Sequence, residues 1–200
     1  MRYVIMANGR GRRWGGHCGV PKHLISIEGE TLLQRTTRLV HEQDPGSEVI
    51  ISSSNPLCVA DGATRHEPEH GAREIDRFCY ELIDDNVCFL YGDTFYTEEA
   101  MSCICTEQGA DLQFFCTESS IVAVKVGSGS VMRRCVDALI SQIEAGALED
   151  AKGWHLYHYY EDLTAEGART GSSLRMLEDR TTDFNWPSDY DEFIKAEADS

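Results

Sequence analysis

The sequence predicts an α/β fold with a mostly parallel sheet, and three observations carry that reading. Short apolar runs that read as buried strands alternate with segments of helical periodicity. Good capping residues stand where the helical segments begin. The glycine-rich stretches directly follow apolar runs. In chain order, Tyr3-Val4-Ile5-Met6 is a first buried strand, and His23 to Ile27 is a short extended piece. Glu28-Gly29-Glu30 then turns the chain into a helix with Leu32, Leu33, Thr36, Leu39 and Val40 on one face and Thr31 as its cap. A second strand is expected over residues 47–54, and 55–71 is irregular because Pro56, Gly62, Pro68 and Gly71 break it. A helix is expected from about Ala72 to Ile83 and a third buried strand from Val87 to Tyr91, ending in Gly92-Asp93-Thr94. Thr97 caps the next helix, with Glu98 and Glu99 at its positive end. Residues 111–117 and 121–126 read as further strands, with room for an antiparallel excursion in this half. Residues 128–145 form an amphipathic helix that presents Val131, Cys135, Leu139, Ile140 and Ile143 on one face. The pattern weakens over 146–183, and Pro187 opens a last helix through Ala196. No repeat or linker interrupts the chain, so residues 1–200 are expected to form one domain.

Charge narrows the function. The chain carries 18 Lys and Arg against 34 Asp and Glu, a formal charge of −16. That argues against non-specific nucleic-acid or anionic-membrane binding. No apolar run approaches a membrane span and no signal-peptide core opens the chain, so a cytoplasmic location is expected. Eight cysteines include no C-x-x-C pair, and most lie in apolar or amphipathic runs, so they are expected to be reduced structural thiols.

Against this acidic background residues 1–27 contain no Asp or Glu, but carry Arg2, Arg10, Arg12, Arg13 and Lys22. Four of these cations belong to the stretch Ala7-Asn8-Gly9-Arg10-Gly11-Arg12-Arg13 and the Pro21-Lys22 that follows. Glycines that let backbone N–H groups approach an anion, flanked by cations, make a phosphate cradle. A dinucleotide fingerprint fits less well, since the stretch runs on to Pro21 and Trp14 stands where a small packing residue is wanted. A P-loop is excluded, because no Gly-Lys-Ser/Thr occurs. In open α/β sheets ligands bind beyond the carboxyl ends of the strands, where Gly92-Asp93 would face this loop. An aspartate there is a natural Mg2+ ligand, a hard oxygen for a cation that bridges to substrate phosphates.

The ordered set Ala7, Gly9, Gly11 and Arg13, then Pro21-Lys22, Gly29-Glu30-Thr31-Leu32-Leu33, Gly92-Asp93, and Asn185, Pro187 and Asp189 resembles the nucleotidyltransferases over nearly the whole chain. These include sugar-1-phosphate nucleotidyltransferase-like, MobA-like and cytidylyltransferase enzymes. The resemblance implies a GT-A-like Rossmann-type α/β/α sandwich. It also implies transfer of a nucleoside monophosphate from an NTP to a phosphorylated acceptor, a sugar-1-phosphate or phospho-alcohol, with release of pyrophosphate. By the same resemblance residues 7–13 (Ala7, Asn8, Gly9, Arg10, Gly11, Arg12, Arg13), with Lys22, Gly71 and Gly92, would bind the nucleotide. Arg13, Lys22 and Asp93 would be the catalytic set, with Arg13 on the developing pyrophosphate and Lys22 between the α-phosphate and the acceptor phosphate. Asp93 with Asp183 or Asn185 would hold Mg2+, the last two competing for one role. No general base is needed, because a phosphate oxygen is already anionic at neutral pH.

Three departures from the family pattern stand out: Asn8 for a small residue, Arg12 for Ser or Thr, and Trp14 for Leu or Met. In the last motif Trp186 replaces Thr and removes the expected helix cap. Gly71 is placed to let a base approach, with Arg73 or Glu74 at its edge, and CTP, UTP and GTP are not separable. Residues 154–160, rich in Trp, Tyr and His, fall on the acceptor side, where an aromatic cage for a quaternary ammonium such as phosphocholine is conceivable. His155 and His158 lack the further ligands a zinc site needs. The expected setting is cell-envelope polysaccharide or capsule assembly. Two rivals remain: a GT-A glycosyltransferase, disfavoured because Asp93-Thr94-Phe95 lacks a second Asp, and a catalytically silent nucleotide-binding protein, suggested by the altered loop.

Overall fold

Strand β1 (Arg2–Met6) runs through the sheet interior with Tyr3, Val4, Ile5 and Met6 all buried, as its unbroken apolar run requires. The structure is a computed structural model that describes residues 1–9, 11–108, 110–163 and 171–198. A tight hairpin joins β2 (Ser26–Ile27) to β3 (Glu30–Thr31). Its two turn residues, Glu28 and Gly29, both have positive φ, 54° and 84°. Helix α1 (Leu32–Gln43) follows, and the Thr31 hydroxyl caps it by accepting from the Gln34 N–H at 3.1 Å. Next come β4 (Glu48–Ser52), β5 (Thr64–His66), β6 (Val87–Tyr91) and β7 (Thr94–Phe95). Helix α2 (Glu98–Thr106) is capped by Thr97, which accepts from the Ala100 N–H at 3.0 Å. The second half holds β8 (Leu112–Cys116), β9 (Ile121–Val126), α3 (Gly129–Glu144) and α4 (Gly153–Tyr160). It closes with β10 (Leu174–Met176), β11 (Thr182–Asp183) and α5 (Pro187–Ala198).

The main sheet has seven strands in the order β10-β8-β9-β6-β1-β4-β5, and within it β9 runs against its neighbours β6 and β8. Side chains alternate across the sheet and build two cores. Tyr3 and Ile5 pack under α1 and α2 with Leu33, Leu39, Met101 and Ile104. Val4 and Met6 face α3 and α4 with Met132, Val136, Leu139, Leu156 and Tyr157. The result is the expected α/β/α sandwich. No described helix is long and apolar enough to cross a membrane. All eight cysteines are free thiols, and five of them are buried.

Two sequence expectations need correction. The helix expected over 72–83 is instead two 3-10 turns, Ile75–Phe78 and Tyr80–Leu82, separated by Cys79 at φ 40°. Ile75 and Phe78 stand three apart, a spacing that suits either helix type, so the apolar pattern did not distinguish them. The irregular stretches also contain β5, β10 and β11, which are two or three residues long and form by pairing with other strands.

Gly92 has a packing reason. A Cβ there would stand 2.9 Å from the Met6 carbonyl oxygen, and the Gly92 N–H donates to that oxygen at 3.1 Å. Because the obstacle is backbone of β1, Gly92→Ala should destabilise the protein by about 1–3 kcal/mol. Urea unfolding should show a lower midpoint with an unchanged m-value, and an unchanged midpoint would refute this reading.

Candidate functional site

The chain runs from β1 to β4 on one side of the sheet before returning to β6 on the other, so the strand order reverses beside β1. A crevice forms at such a switch point. Three segments meet there: the loop after β1, Ser53-Ser54 after β4, and Gly92-Asp93 after β6.

The loop is glycine-rich, yet it is anchored. Gly11, Gly15 and Gly16 take positive φ values of 56°, 61° and 73°, which lets the chain coil tightly between them. Trp14 plugs the coil into the protein, only 2% exposed among Ile25, Leu32, Phe95 and Phe184. Its Nε1 donates to the carbonyls of His17 and Val20 at 3.1 and 3.0 Å. The large residue fits here because Phe184 and α5 close over it, with Tyr190 edge-on at 6.1 Å. Asn8 makes a second tie, its Oδ1 accepting from the Ser54 N–H and hydroxyl at 3.1 and 2.7 Å. Its Nδ2 lies so near Gly71 that a Cβ there would be 2.8 Å away. Arg10 lies outside the described residues.

Behind the loop, Lys22 donates its ammonium to the Asp93 carboxylate, and both residues are buried. Burial alone would raise the Asp93 pKa, but Lys22, His23 and Arg77 together hold it below the usual carboxylate range. His23 is buried beside the pair, and burial pushes its pKa down to about 4, with Lys22 and Arg77 adding to the effect and Asp93 opposing it. Pairing of β7 with β11 brings Asp183 opposite Thr94, and the Phe184 N–H donates to the Asp93 carbonyl at 2.9 Å. Burial, then the charge of Asp93, raises the Asp183 pKa. Its carboxylate accepts from the Ser120 hydroxyl at 3.0 Å and from the Asn185 amide nitrogen. The Asn185 oxygen in turn accepts from Arg13 at 2.9 Å, and the Arg13 guanidinium lies 5.5 Å from the Trp186 ring. Trp186 supplies no side-chain cap, but Asp189 reaches back from the first turn of α5 and fixes the entry to the helix, accepting from the N–H groups of Asn185 and Trp186 at 2.8 and 2.7 Å.

Three cavities on this edge adjoin the loop, beside a larger one of about 670 Å³ under α5 that Arg13, Ser120, Asp183 and Asn185 also line. The first, about 510 Å³, is lined by six cations, Arg12, Arg13, Lys22, Arg73, Arg77 and Lys152, against the carboxylates of Glu74 and Asp150. Asn8, Gly11, Gly71 and Asn185 also reach it. A second, about 240 Å³, holds Asp93 and Asp183 with Tyr91, Ser120 and Trp154. The third, about 340 Å³, lies beyond Asn8 and is lined by Ala7, Gly9, His23, Ser54 and Gly71. Gly92 lines none of the three and belongs to the floor beneath them.

Sequence reasoning missed His23, Arg77, Ser120 and Lys152. Arg77 reads as an exposed helix residue, yet its guanidinium lies about 3.5 Å from where a Gly9 Cβ would be and is paired with Glu74 at 2.7 Å. A signal was present for His23, which directly follows Lys22. For Ser120 and Lys152 no local signal exists, because tertiary pairing alone brings them here. Among the described residues no group of three His, Cys, Asp or Glu converges on a metal position.

His23 ties the site to stability. With an unfolded pKa near 6.5 and a folded pKa of about 4, the unfolded state takes up the proton first as pH falls. Its contribution is therefore fully present above pH 6.5 and is lost as pH falls toward 4, by about 3 kcal/mol. Urea midpoints from pH 7 to 4 should fall less steeply in His23→Gln than in the parent protein, and parallel curves would contradict this.

Solved structures share the fold. CTP:phosphocholine cytidylyltransferase from Streptococcus pneumoniae matches at TM-score 0.58 and 11% identity over 98% of each chain. The protein Rv0371c from Mycobacterium tuberculosis H37Rv matches at 0.62 and 18% over 97% of each. The inositol-1-phosphate CTP transferase from T. maritima matches at 0.56 and 14%, over 94% of this chain and 90% of that one. At these identities the likeness shows a shared GT-A-like fold. No curated protein matches the chain by sequence. Residues 3–100, which include the loop, Lys22 and Asp93, match the family described as the MobA-like NTP transferase domain. Residues 3–100 are thus similar to the MobA-like NTP transferase domain, and the chain as a whole shares the GT-A-like nucleotidyltransferase fold.

Proposed function

We propose that the protein transfers a nucleoside monophosphate from an NTP to a small phosphorylated acceptor, releasing pyrophosphate, and that residues 1–200 act as one transferase domain. The observation that carries this reading is the cavity lined by six cations beside a second cavity lined by three carboxylates, Glu74, Asp93 and Asp183, on a chain of charge −16. A triphosphate suits the first, because clustered cations offset its charge and the charge that develops on the leaving pyrophosphate. Arg12 and Arg13 stand at the loop side of that cavity, where they would hold the β and γ phosphates. Lys22 lines the same cavity and is aligned by Asp93, so its ammonium is positioned for the phosphate that undergoes attack. The third cavity, between Asn8, Ser54 and Gly71, is where the base would lie, with CTP, UTP and GTP all open.

The donor set fits Mg2+. Asp93 is held ionised, and Asp183 is close enough for its charge to be opposed by that of Asp93, a repulsion that a divalent cation would relieve. Mg2+ commonly takes one or two protein carboxylates and draws its remaining ligands from phosphates and water. Asp93 and Asp183 would hold it, whereas the Asn185 oxygen is turned toward Arg13. When bound, Mg2+ would neutralise phosphate charge.

A pyrophosphate-release assay over four NTPs and a panel of sugar-1-phosphates and phospho-alcohols tests the reading. Lys22→Ala and Asp93→Ala should each lower kcat by about 10²-fold or more. Release unaffected by both would overturn the assignment, and tight NTP binding without turnover on any acceptor would favour the silent-protein reading. For the metal, Asp183→Asn should raise the Mg2+ concentration needed for half-maximal rate more than Asn185→Ala does. The reverse order would move the ligand to Asn185.

A further inference from the structure

Arg13 stands where the spaces of the cleft meet. It lines the cation cavity, the carboxylate cavity and the cavity of about 670 Å³ under α5, and Asn185 is the other residue common to all three. The direction of one guanidinium therefore decides which space receives its charge. Arg13 is exposed, and a long exposed side chain loses rotamer freedom when a ligand orders it. A contact that fixes it beforehand removes that penalty from binding.

Two contacts fix it. Its Nη2 donates to the Asn185 Oδ1 at 2.9 Å, and its guanidinium carbon lies over the Trp186 ring, 5.5 Å from the centroid. That separation is within the roughly 6 Å over which an indole face attracts a cation. The two contacts complement one another in direction. Hydrogen bonds leave a guanidinium in its plane, whereas a ring packs against its face. Trp186 thus holds the group without occupying an N–H, and Asn185 is the one hydrogen-bond partner of the Arg13 side chain among the described residues.

Trp186 is itself held. Its N–H donates to the Asp189 carboxylate at 2.7 Å and its carbonyl accepts from the Asp189 N–H at 3.1 Å, so its backbone is pinned where α5 begins at Pro187. An indole then has few torsions left to settle. The ring lines the cavity under α5 but neither the cation cavity nor the carboxylate cavity. It backs Arg13 from the side away from the cation cavity. A residue in that place acts on a triphosphate through Arg13 and does not touch it. The threonine of the family pattern offers no such face.

We propose that Trp186 is a positioning residue, whose ring backs the Arg13 guanidinium and, with Asn185, holds it aimed at the β and γ phosphates before the nucleotide arrives. The assignment rests on the nucleotidyl-transfer reading and adds to it a preorganising contact from the entry to α5.

The test is calorimetric titration of inorganic pyrophosphate in Mg2+ onto parent protein, Trp186→Ala and Trp186→Phe, and onto the same three in an Arg13→Ala background. Trp186 is 51% exposed and belongs to none of the apolar cores, so its removal leaves them intact. With Arg13 present, alanine should weaken pyrophosphate binding about three- to tenfold, and phenylalanine should restore it to within about twofold of the parent. With Arg13 absent, the three should agree within about twofold, because the effect of the ring passes through the guanidinium. In steady state with any productive acceptor, Trp186→Ala should raise the NTP KM by a similar factor and leave the acceptor KM unchanged. A loss as large without Arg13 as with it would overturn the proposal, since Trp186 would then act on the ligand or the fold directly. No loss at all, or a loss confined to the acceptor, would overturn it equally. Separately, a parent protein that binds neither pyrophosphate nor any of the four NTPs overturns the nucleotidyl-transfer reading itself, and this assignment with it.

Discussion

The buried pair of Lys22 and Asp93 is the contact on which the rest of the site depends. Lys22 comes from the end of the loop after β1 and Asp93 from the turn after β6, so a single ion pair fastens the loop to the sheet edge. Both side chains are less than a tenth exposed. Removing two charges from water costs several kcal/mol per ion, and the cost is offset only when geometry and neighbouring charges are favourable. Here Arg77 adds positive charge near Asp93, and Asp183 supplies a further carboxylate nearby. The cluster therefore alternates in sign, with its outermost cations turned toward the cleft. Such an arrangement is poor value as a stabiliser but good at keeping a lysine aimed.

Apolar packing does the complementary work. A stretch with several left-handed glycines would be mobile if only ion pairs held it, since glycine loses the most backbone freedom on ordering. Trp14 counters that by burying a large ring between the loop and α5. The departures Asn8, Trp14 and Trp186 from the family pattern are thus accommodated by partners elsewhere. Asn8 finds Ser54, Trp14 finds Phe184 and Tyr190, and the Trp186 N–H is held by Asp189 reaching back from α5. The site is assembled from both ends of the chain, and α5 belongs to it.

How much of this was legible from sequence follows from where each contact originates. Strands β1, β6 and β9 were readable because each is buried on both faces and so reads as an apolar run. Helices α1 and α2 were readable because Thr31 and Thr97 cap them locally. That the glycine-rich loop, Lys22 and Asp93 meet at one sheet edge was readable because all follow strands whose carboxyl ends lie side by side. Strand β11 was not readable: two residues long, it exists because β7 lies opposite, and it is what places Asp183. Arg77 and Lys152 were likewise hidden, one in a segment whose apolar spacing suits two helix types and the other in a stretch of weak pattern. The wall that carries Arg77, Lys152 and Asp183 is the less legible half because distant segments build it without a motif.

The architecture of the site requires that Lys22 and Asp93 act as one unit. A double-mutant cycle in urea, comparing Lys22→Met, Asp93→Asn and the double variant with the parent, measures this directly. Each single variant leaves an uncompensated buried partner and should lose roughly 3–5 kcal/mol. The double variant should lose less than the sum by about 2 kcal/mol or more. Additive losses would mean that the two residues do not support one another, and that the loop is fixed to the sheet by other contacts.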